Sequence, residues 1–265
     1  MHARVKPSSE PLLVCEKKGG VARLTLNRPK QYNAMSSEVL RELDKALAKV
    51  AADGSVRVVV LAANGPVFCS GHDLKEMMAN RTPQFIGELF DQCSQIMLTL
   101  QGLPQPVIAR VQGIATAAGC QLVAQCDLAV ASSDAKFATS GINLGLFCAT
   151  PGVPVSRNVP RKRAFEMLFT GEFIDAQTAL AWGLVNRVAP PDRLDDELQK
   201  LVDTIVDKPA EVCAAGKKLF YQQIESKIEG AYRIASAAIT KNMLGEHAAE
   251  GVGAFIEKRK PKWKK

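Results

Sequence analysis

Two segments, Pro66-Val-Phe-Cys-Ser-Gly-His-Asp-Leu-Lys-Glu-Met77 and Val111-Gln-Gly-Ile-Ala-Thr-Ala-Ala-Gly-Cys-Gln-Leu-Val123, decide the fold of this chain of 265 residues. Each follows an apolar, strand-like run, at 56–62 and at 106–111 respectively. Both are loops rich in small residues, which let a backbone approach a ligand closely. The second loop leads into a helix, and free N–H groups at a helix start attract negative charge. We therefore expect a ligand site here, with Gln121 deciding its chemistry.

Together with two further motifs, these segments resemble the crotonase family, the enoyl-CoA hydratases and isomerases. The further motifs are Leu26-Asn-Arg-Pro-Lys-Gln-Tyr-Asn-Ala34 and Ala254-Phe-Ile-Glu-Lys-Arg259, so the similarity extends over nearly the whole chain. One motif alone is weakly specific, but four in this order and spacing are specific. The resemblance implies an α/β fold: a crotonase-like spiral of β-β-α units (1–205), followed by a C-terminal helical trimerisation region (206–265).

The resemblance also implies an oxyanion hole formed by the backbone N–H groups of His72 and Ala118. Such a site binds the thioester carbonyl of an acyl-CoA and stabilises the enolate that forms from it. Donors that are oriented before the reaction are worth roughly 3–4 kcal/mol each. Because the donors belong to the backbone, the side chains at 72 and 118 are secondary. The alternative is that both loops are merely tight turns between strand and helix, and the other motifs disfavour it.

The acids that the family's hydratases use are absent. In those enzymes one glutamate follows the Gly-Cys of the second loop, and another lies about 20 residues later. This chain has Gln121 and Gly141 at those positions, and Ala149 at a third position that other members use. An amide cannot take up a proton near neutral pH. Since each general acid or base contributes roughly 10²–10⁴-fold, we expect weak or no enoyl-CoA hydratase activity.

Other side chains could replace these acids. The imidazole of His72 could titrate near neutral pH, although packing beside Asp73 is the favoured interpretation of its side chain. Asp73 is expected to fix the loop and not to act as a base. The remaining candidates to line the pocket are Thr139, Ser140, Asn143 and Cys148.

Coenzyme A is the ligand that the resemblance implies, as substrate and not as a resident cofactor; no other cofactor and no metal site is expected. Six residues would lie around its nucleotide part. They are Arg28, Lys30, Asp73, Leu74, Phe255 and Lys258. The last two would come from the C-terminal helix, either of the same chain or of a neighbouring subunit. Lys30 and Lys258 could instead be ordinary surface lysines, but the motif context favours CoA contact.

The composition fits an ordinary soluble protein, with 47% hydrophobic and 23% charged residues. The net charge of +7 suits an anionic ligand such as CoA. Part of it lies in a basic tail, 258–265, interpreted as solvated; no nucleic-acid-binding module accompanies it. Seven cysteines without a C-x-x-C pair indicate neither a disulfide framework nor a zinc site, and favour a reducing compartment. No apolar run is long enough for a membrane span.

The rest of the chain alternates strand-like and helix-like segments up to residue 190. The pattern predicts a hairpin at 12–26, a helix after Ser36 or Ser37, a strand at 56–62 and a helix at about 83–100. It further predicts strands at 127–131 and 136–138, a turn at 149–154, helices at about 160–169 and 175–182, and a last strand at 184–188. From 192 onward nearly everything is expected to be helical.

Three functions remain open at this point. The first is an acyl-CoA-binding protein of fatty-acid and lipid metabolism with weak or absent hydratase activity. The second is an active lyase or isomerase on an unidentified acyl-CoA with a non-standard acid or base, and the third is a non-catalytic oligomeric scaffold. A homotrimer or a dimer of trimers is expected. The segment 1–10 has no secretory signal, and the basic charge and fatty-acyl chemistry predict the mitochondrial matrix, with a transit peptide absent from this chain.

Overall fold

The computed structural model describes residues 10–263, so the interpretation of 1–9 as lacking a secretory signal lies outside the described residues. The hairpin prediction is confirmed. Strands Leu13–Lys18 and Val21–Leu26 pair antiparallel and are joined by Gly19 and Gly20. Both glycines have positive φ, 58° and 80°, as a two-residue hairpin turn requires.

The chain forms ten strands and eleven α-helices within residues 10–263. The strands are β1 (Leu13–Lys18), β2 (Val21–Leu26), β3 (Val58–Ala63), β4 (Val67–Cys69), β5 (Val107–Val111), β6 (Ile114–Thr116), β7 (Leu128–Ser132), β8 (Lys136–Ala138), β9 (Ile174–Asp175) and β10 (Arg187–Ala189). The helices are α1 (Ser37–Ala52), α2 (Leu74–Ala79), α3 (Pro83–Gly102), α4 (Ala118–Gln125), α5 (Ala149–Asn158), α6 (Arg161–Thr170), α7 (Ala176–Ala181), α8 (Leu194–Val206), α9 (Ala210–Ile224), α10 (Ile228–Met243) and α11 (Glu246–Ile256). Short 3-10 helices occupy Pro29–Gln31, Ser140–Leu144 and Pro191–Arg193.

Two sheets define the architecture. The larger has the order β1-β2-β3-β5-β7-β10, and the smaller has the order β4-β6-β8-β9. Each consecutive pair of strands, β3–β4, β5–β6 and β7–β8, contributes its first strand to the larger sheet and its second to the smaller one. A helical segment follows each pair. These repeated β-β-α units confirm the predicted fold class.

Helices cover both faces of the larger sheet. Alternate residues of β3 point in opposite directions, as the strand period requires. Val59 and Leu61 join the main core with α1 and α3, whereas Val58 and Val60 join a second cluster with α8. All six residues of β3 are consequently buried, as is typical of a central parallel strand.

The structure corrects the sequence predictions in four places. The two signature loops contain the short strands β4 and β6, and α2 follows the first of them. The segment 149–154, predicted as a turn, begins helix α5. Pro151 lies in the first turn of α5, where a missing N–H removes no helical bond, while Pro154 and Val155 are buried. The last strand lies at 187–189 instead of 184–188.

Beyond α8 the chain is helical, as predicted. The boundary placed at 205/206 falls at the end of α8, and its meaning as a domain boundary stays a prediction. The described part of the basic tail is not fully solvated, since Lys262 N–H donates to Glu250 (2.6 Å) and Trp263 packs over Gly251. Within residues 10–263, no helix combines the length and apolar character needed to cross a bilayer.

Candidate functional site

The first signature loop turns sharply after β4. Gly71 has φ +96°, a conformation that favours glycine. Met35 N–H donates to Gly71 O (2.8 Å), and Asp73 N–H donates to Met35 O (3.1 Å). These two bonds bracket His72 in a parallel bridge, so the N–H of His72 itself points away from Met35.

The second signature loop enters α4 through a strained residue. Ala117 has φ 50° and ψ −121°, and its N–H donates to Ala138 O (3.0 Å). Gln121 N–H donates to Ala117 O (3.0 Å) and closes the first turn. Ala118, the first helical residue, therefore has no carbonyl within the helix to which it could donate.

The pairing of β4 with β6 brings the two loops together. A Cβ atom at Gly71 would lie 2.9 Å from Ala117 Cβ and 3.3 Å from Ala118 N. At Gly119 it would lie 2.1 Å from Cys69 O, so only glycine permits this approach. No hydrogen bond to any residue in 10–263 is recorded for the N–H of His72 or Ala118. Two free donors thus lie on adjacent segments.

We expect Ala117→Gly to raise the free energy of unfolding by about 1 kcal/mol or more. Strained backbone conformations of this type are of order 1–3 kcal/mol unfavourable for a non-glycine residue, and glycine relieves the strain. Urea denaturation would measure the change. Ala124→Gly, inside helix α4 and outside the positive-φ region, is the matched control and should lose about 1 kcal/mol. A destabilised Ala117→Gly variant would contradict this explanation.

The three positions at which the resemblance implies acids lie in α4, in the 3-10 helix after β8 and at the first residue of α5. Gln121 is 3% exposed, and its Oε1 is buried without a hydrogen-bond partner among the described residues. At Gly141, a Cβ atom would lie 2.6 Å from Leu146 O and 2.8 Å from Cys148 Sγ. Ala149 is exposed at the first position of α5. Position 141 therefore excludes any side chain in this loop conformation, whereas 149 admits one.

The other predicted pocket residues make internal hydrogen bonds. Thr139 Oγ1 donates to Met167 O (2.7 Å), and the hydroxyls of Ser140 and Thr116 bond each other (2.7 Å). Asn143 Nδ2 donates to Gly171 O (3.3 Å), and Cys148 Sγ accepts from Gly141 N–H (3.3 Å). These contacts hold the loop after β8 in place and leave few polar atoms available for proton transfer.

The His72 imidazole packs against Phe90, with the ring centroids 4.9 Å apart in an edge-to-face arrangement. Both ring nitrogens are buried and have no hydrogen-bond partner within residues 10–263. Burial lowers the pKa of the imidazole, and the Met35 backbone and the Glu76 carboxylate offset this only in part. The lowered pKa disfavours protonation of the ring in the folded chain.

This lowered pKa predicts a loss of stability in mild acid. The unfolded chain binds a proton at His72 more readily than the folded chain, so stability is complete above about pH 6.5 and falls as the pH drops below it. The slope should not exceed about 1.4 kcal/mol per pH unit for this group. Urea titrations at several pH values should show a shallower slope for His72→Leu than for the wild-type protein. Equal slopes in the two proteins would contradict the assignment.

Four of the predicted CoA positions lie on neighbouring segments. Arg28 Nη2 pairs with Asp73 Oδ2 (3.2 Å), and its Nη1 donates to Ala34 O (2.7 Å). Asp73 also caps α2, because its Oδ1 accepts from Lys75 N–H and Glu76 N–H. Lys30 is exposed, and Leu74 is 45% exposed. The Arg28–Asp73 pair therefore fixes the first loop, as expected for Asp73, and leaves Lys30 and Leu74 open to a ligand.

Phe255 and Lys258 lie at the end of α11. The ring of Phe255 is 84% exposed, so it packs on little of its own chain. Lys258 has φ 55° and ends the helix where glycine is preferred; Arg259 N–H donates to Ala254 O (2.9 Å) across it. No cluster of His, Cys, Asp and Glu that could hold a metal ion occurs in residues 10–263.

Sequence reasoning missed Asn33, which joins the first motif to the first loop. It is 1% exposed, with φ 53°. Its Nδ2 donates to Asn64 O (2.8 Å) and Val67 O (2.7 Å), and its Oδ1 accepts from Arg28 N–H (2.8 Å). The signal was available: asparagine tolerates positive φ and bonds nearby backbone, so an Asn inside a short motif indicates a structural turn.

Comparisons with known proteins show similarity to one family. The sequence profile described as enoyl-CoA hydratase/isomerase matches residues 16–265. A Xenopus laevis protein named enoyl-CoA hydratase domain-containing protein 3, mitochondrial, is 46% identical over 253 residues, covering 96% of this chain and 86% of that protein. The Homo sapiens protein of that name is 44% identical over 244 residues, covering 92% and 80%.

Solved structures show the same similarity. A crystal structure described as enoyl-CoA hydratase from Mycobacterium smegmatis has a TM-score of 0.95 at 58% identity, covering 96% of this chain and 99% of that chain. That of human enoyl-CoA hydratase domain-containing protein 3 has a TM-score of 0.93 at 43% identity, covering 96% and 100%. The chain therefore belongs to the enoyl-CoA hydratase/isomerase family, the crotonases.

Proposed function

We propose that this protein binds CoA thioesters and holds the thioester carbonyl between the backbone N–H groups of His72 and Ala118. The observation that carries the proposal is the close approach of the two loops. A Cβ atom added at Gly71 would lie 3.3 Å from Ala118 N, and neither N–H group has a hydrogen-bond partner within residues 10–263. Membership of the family supports the ligand class. A carbonyl oxygen accepts two hydrogen bonds, and an enolate oxygen would accept them more strongly.

Hydration of an enoyl thioester should be weak or absent. It requires one group to activate water and another to deliver a proton. Gln121 offers an amide, Gly141 no side chain, and Ala149 a methyl group. An active enzyme would have to use His72 or a water held by Gln121 as its acid or base. A non-catalytic scaffold would need neither group.

The test is a titration with acetyl-, butyryl- and crotonyl-CoA, together with an assay of crotonyl-CoA hydration. We expect saturable binding of the thioesters and hydration far below the usual enzymatic range of about 1–10³ per second. Butyl-CoA, a thioether without the carbonyl, is the matched ligand control and should bind more weakly than butyryl-CoA. Absence of binding at millimolar concentration would favour the scaffold, and hydration in the usual range would favour the active enzyme.

Lys30, Leu74, Phe255 and Lys258 are proposed to contact the nucleotide part of CoA, with Arg28 and Asp73 positioning the loop beside it. The positive φ of Lys258 supports its role, since a non-glycine residue kept in an unfavourable conformation often has a function. The high exposure of Phe255 is consistent with a contribution to a neighbouring subunit's site.

We expect Lys258→Gly to stabilise the chain while weakening CoA binding. Glycine relieves the positive φ at the helix end, which should raise the free energy of unfolding by about 1 kcal/mol. Loss of the ammonium should lower the affinity for CoA. Lys260→Gly removes the same charge without that strain, so it should give no stabilisation. Unchanged affinity in Lys258→Gly would remove Lys258 from the proposed site.

Assembly into a homotrimer or a dimer of trimers is proposed to bury the apolar side chains that α10, α11 and the turn between them expose. These are Ile228 (70%), Tyr232 (69%), Leu244 (84%), Phe255 (84%) and Ile256 (73%). Exposed apolar surface of this kind marks interaction sites. Light scattering after size exclusion would give the mass directly; a monomer at micromolar concentration would contradict the proposal.

A mitochondrial-matrix location is proposed from the basic charge, the predicted reducing compartment and the word mitochondrial in the names of the vertebrate relatives. The similarity to the Mycobacterium smegmatis protein indicates that the same fold also works outside mitochondria. Fractionation of a tagged precursor in its own cells would test the location. Recovery only in the cytosol would contradict it.

A further inference from the structure

The outer face of α6 exposes aromatic rings. Phe165 and Phe169 are 59% and 50% exposed, and their rings stack on each other with the centroids 3.9 Å apart. The ring of Phe147, on the loop before α5, is 51% exposed and lies 5.2 Å from that of Phe169. Leu144 and Leu146 of the same loop are exposed as well. A connected apolar surface of this kind marks an interaction site, whereas single exposed apolar residues need no explanation.

Two positively charged residues share this face of α6. Residues three and four apart are neighbours on a helix surface, which places Arg161 and Lys162 beside Phe165. Both are exposed, and neither forms an ion pair with any of the described residues. The third basic residue, Arg163, pairs instead with Glu166 (2.8 Å). Aromatic side chains and uncompensated positive charge therefore occupy one surface.

The position of these two charges is unfavourable for the helix itself. Arg161 and Lys162 are the first two residues of α6, where the helix dipole is positive, and the first turn contains no acidic residue. Pro160 precedes them and provides no side-chain cap. A sequence that breaks a local rule without internal compensation indicates a function. Negative charge from outside the chain would supply that compensation.

This surface fits an anionic lipid bilayer better than a second copy of the chain. The net charge is +7, so a second copy has on average the wrong sign of charge. None of the residues on this surface belongs to α10 or α11, which the proposed trimer uses. A bilayer with anionic headgroups offers negative charge above hydrocarbon, and basic residues beside phenylalanine are typical of protein surfaces that lie in this interface.

We propose that the α6 face docks on anionic lipid bilayers. The rings of Phe147, Phe165 and Phe169 enter the boundary between headgroups and acyl chains, and Arg161 and Lys162 bind lipid phosphates. Two basic residues near such a surface are worth about 30-fold in affinity. This inference does not depend on the proposed thioester site.

Co-sedimentation with vesicles tests the proposal, using phosphatidylcholine alone and phosphatidylcholine with about 30% phosphatidylglycerol. The wild-type protein should bind the anionic vesicles at least about tenfold more tightly than the neutral ones, and high salt should reduce this preference. Arg161→Glu/Lys162→Glu should abolish the preference. Phe165→Ser/Phe169→Ser should lower the affinity for anionic vesicles by about tenfold or more, because two apolar anchors are lost.

Matched controls separate this face from the charge and apolar surface of the whole chain. Arg41→Glu/Lys49→Glu makes the same change in net charge at two exposed positions of α1, and Phe220→Ser removes a ring of α9 that is 53% exposed. Both should bind anionic vesicles within about threefold of the wild-type affinity. Because acidic residues are favourable at a helix start, Arg161→Glu/Lys162→Glu should keep its stability, so its lost preference would not reflect misfolding.

Three results would overturn the inference. Equal binding of the wild-type protein to neutral and anionic vesicles, or binding to neither, would show that the basic residues do not bind a bilayer. An equal loss in Arg41→Glu/Lys49→Glu would assign the attraction to the net charge alone. A smaller mass of Phe165→Ser/Phe169→Ser in light scattering would show that this face joins copies of the chain.

Discussion

We expect Lys217→Met to lower the free energy of unfolding by about 3–5 kcal/mol. Lys217 belongs to α9, and its side chain is 6% exposed. Its ammonium donates to Asp127 Oδ2 (2.7 Å), Leu100 O (2.8 Å) and Gln105 O (3.1 Å). Removal of one partner from a buried ion pair is strongly destabilising, because the other charge stays buried without compensation.

The position of this pair explains why its loss should matter for the whole fold. Asp127 precedes β7, and its carboxylate also accepts from Val107 N–H at the start of β5 (2.7 Å) and from Tyr221 OH (2.8 Å). Two central strands and α9 therefore meet at a single carboxylate. Burial lowers the pKa of Lys217 and raises that of Tyr221. Asp127 opposes the shift of the lysine and adds to that of the tyrosine.

Urea denaturation of wild type and variant measures the effect, and methionine keeps the volume of lysine so that the lost charge dominates. Lys218→Met is the matched control, because Lys218 is the next residue on α9 and is exposed; it should change stability by less than about 0.5 kcal/mol. If Lys217→Met lowered the free energy of unfolding by less than about 1 kcal/mol, water would be able to replace the ammonium group as a hydrogen-bond donor.

The fold was predictable where the sequence pattern is local. Ser36 caps α1 through a bond from Val39 N–H (3.3 Å), and the predicted apolar face of that helix is buried. The strands β4 and β6 were missed because three residues are too few to show a period. Helix α5 was missed because Pro151 and Pro154 indicate a turn, whereas packing against α4 stabilises a helix there.

The candidate site was predictable only through motifs that resemble the family. Nothing in the sequence states that Gly71 contacts Ala118, since this contact depends on the pairing of β4 with β6, more than 40 residues apart. The absence of acids could be read directly from Gln121 and Gly141. The crowding at Gly141 could not be read from the sequence. Leu146 O and Cys148 Sγ lie close to Gly141 because of the shape of the loop, which depends on contacts with α6.

We expect Gln121→Glu to leave hydration of crotonyl-CoA at least about 10²–10⁴-fold below that of a two-acid enzyme, because one general acid or base is still missing. The new carboxyl would also occupy a site that is 3% exposed. Burial without a partner raises the pKa of a carboxyl group and disfavours its charged, basic form. A crotonyl-CoA assay over a pH series measures this; hydration within the usual enzymatic range in the single variant would refute the two-acid requirement.

Adding the second acid should fail as well, for a steric reason. In Gln121→Glu/Gly141→Glu, the Cβ at 141 would lie 2.6 Å from Leu146 O, so the 140–148 loop must move before the carboxyl can reach a substrate. We expect this double variant to be less stable than Gln121→Glu and to stay inactive. Gln121→Glu/Ala149→Glu adds the same charge at an exposed helix start, where a carboxylate is favourable, and should keep the stability of the single variant.

Hydration by the two double variants separates a steric cause of inactivity from a purely chemical one. If activity returned only in Gln121→Glu/Gly141→Glu, the 140–148 loop would have to be flexible enough to move away from the new side chain. If activity returned only in Gln121→Glu/Ala149→Glu, the missing acids would be the cause of inactivity, because the crowded loop at Gly141 would then be compatible with catalysis.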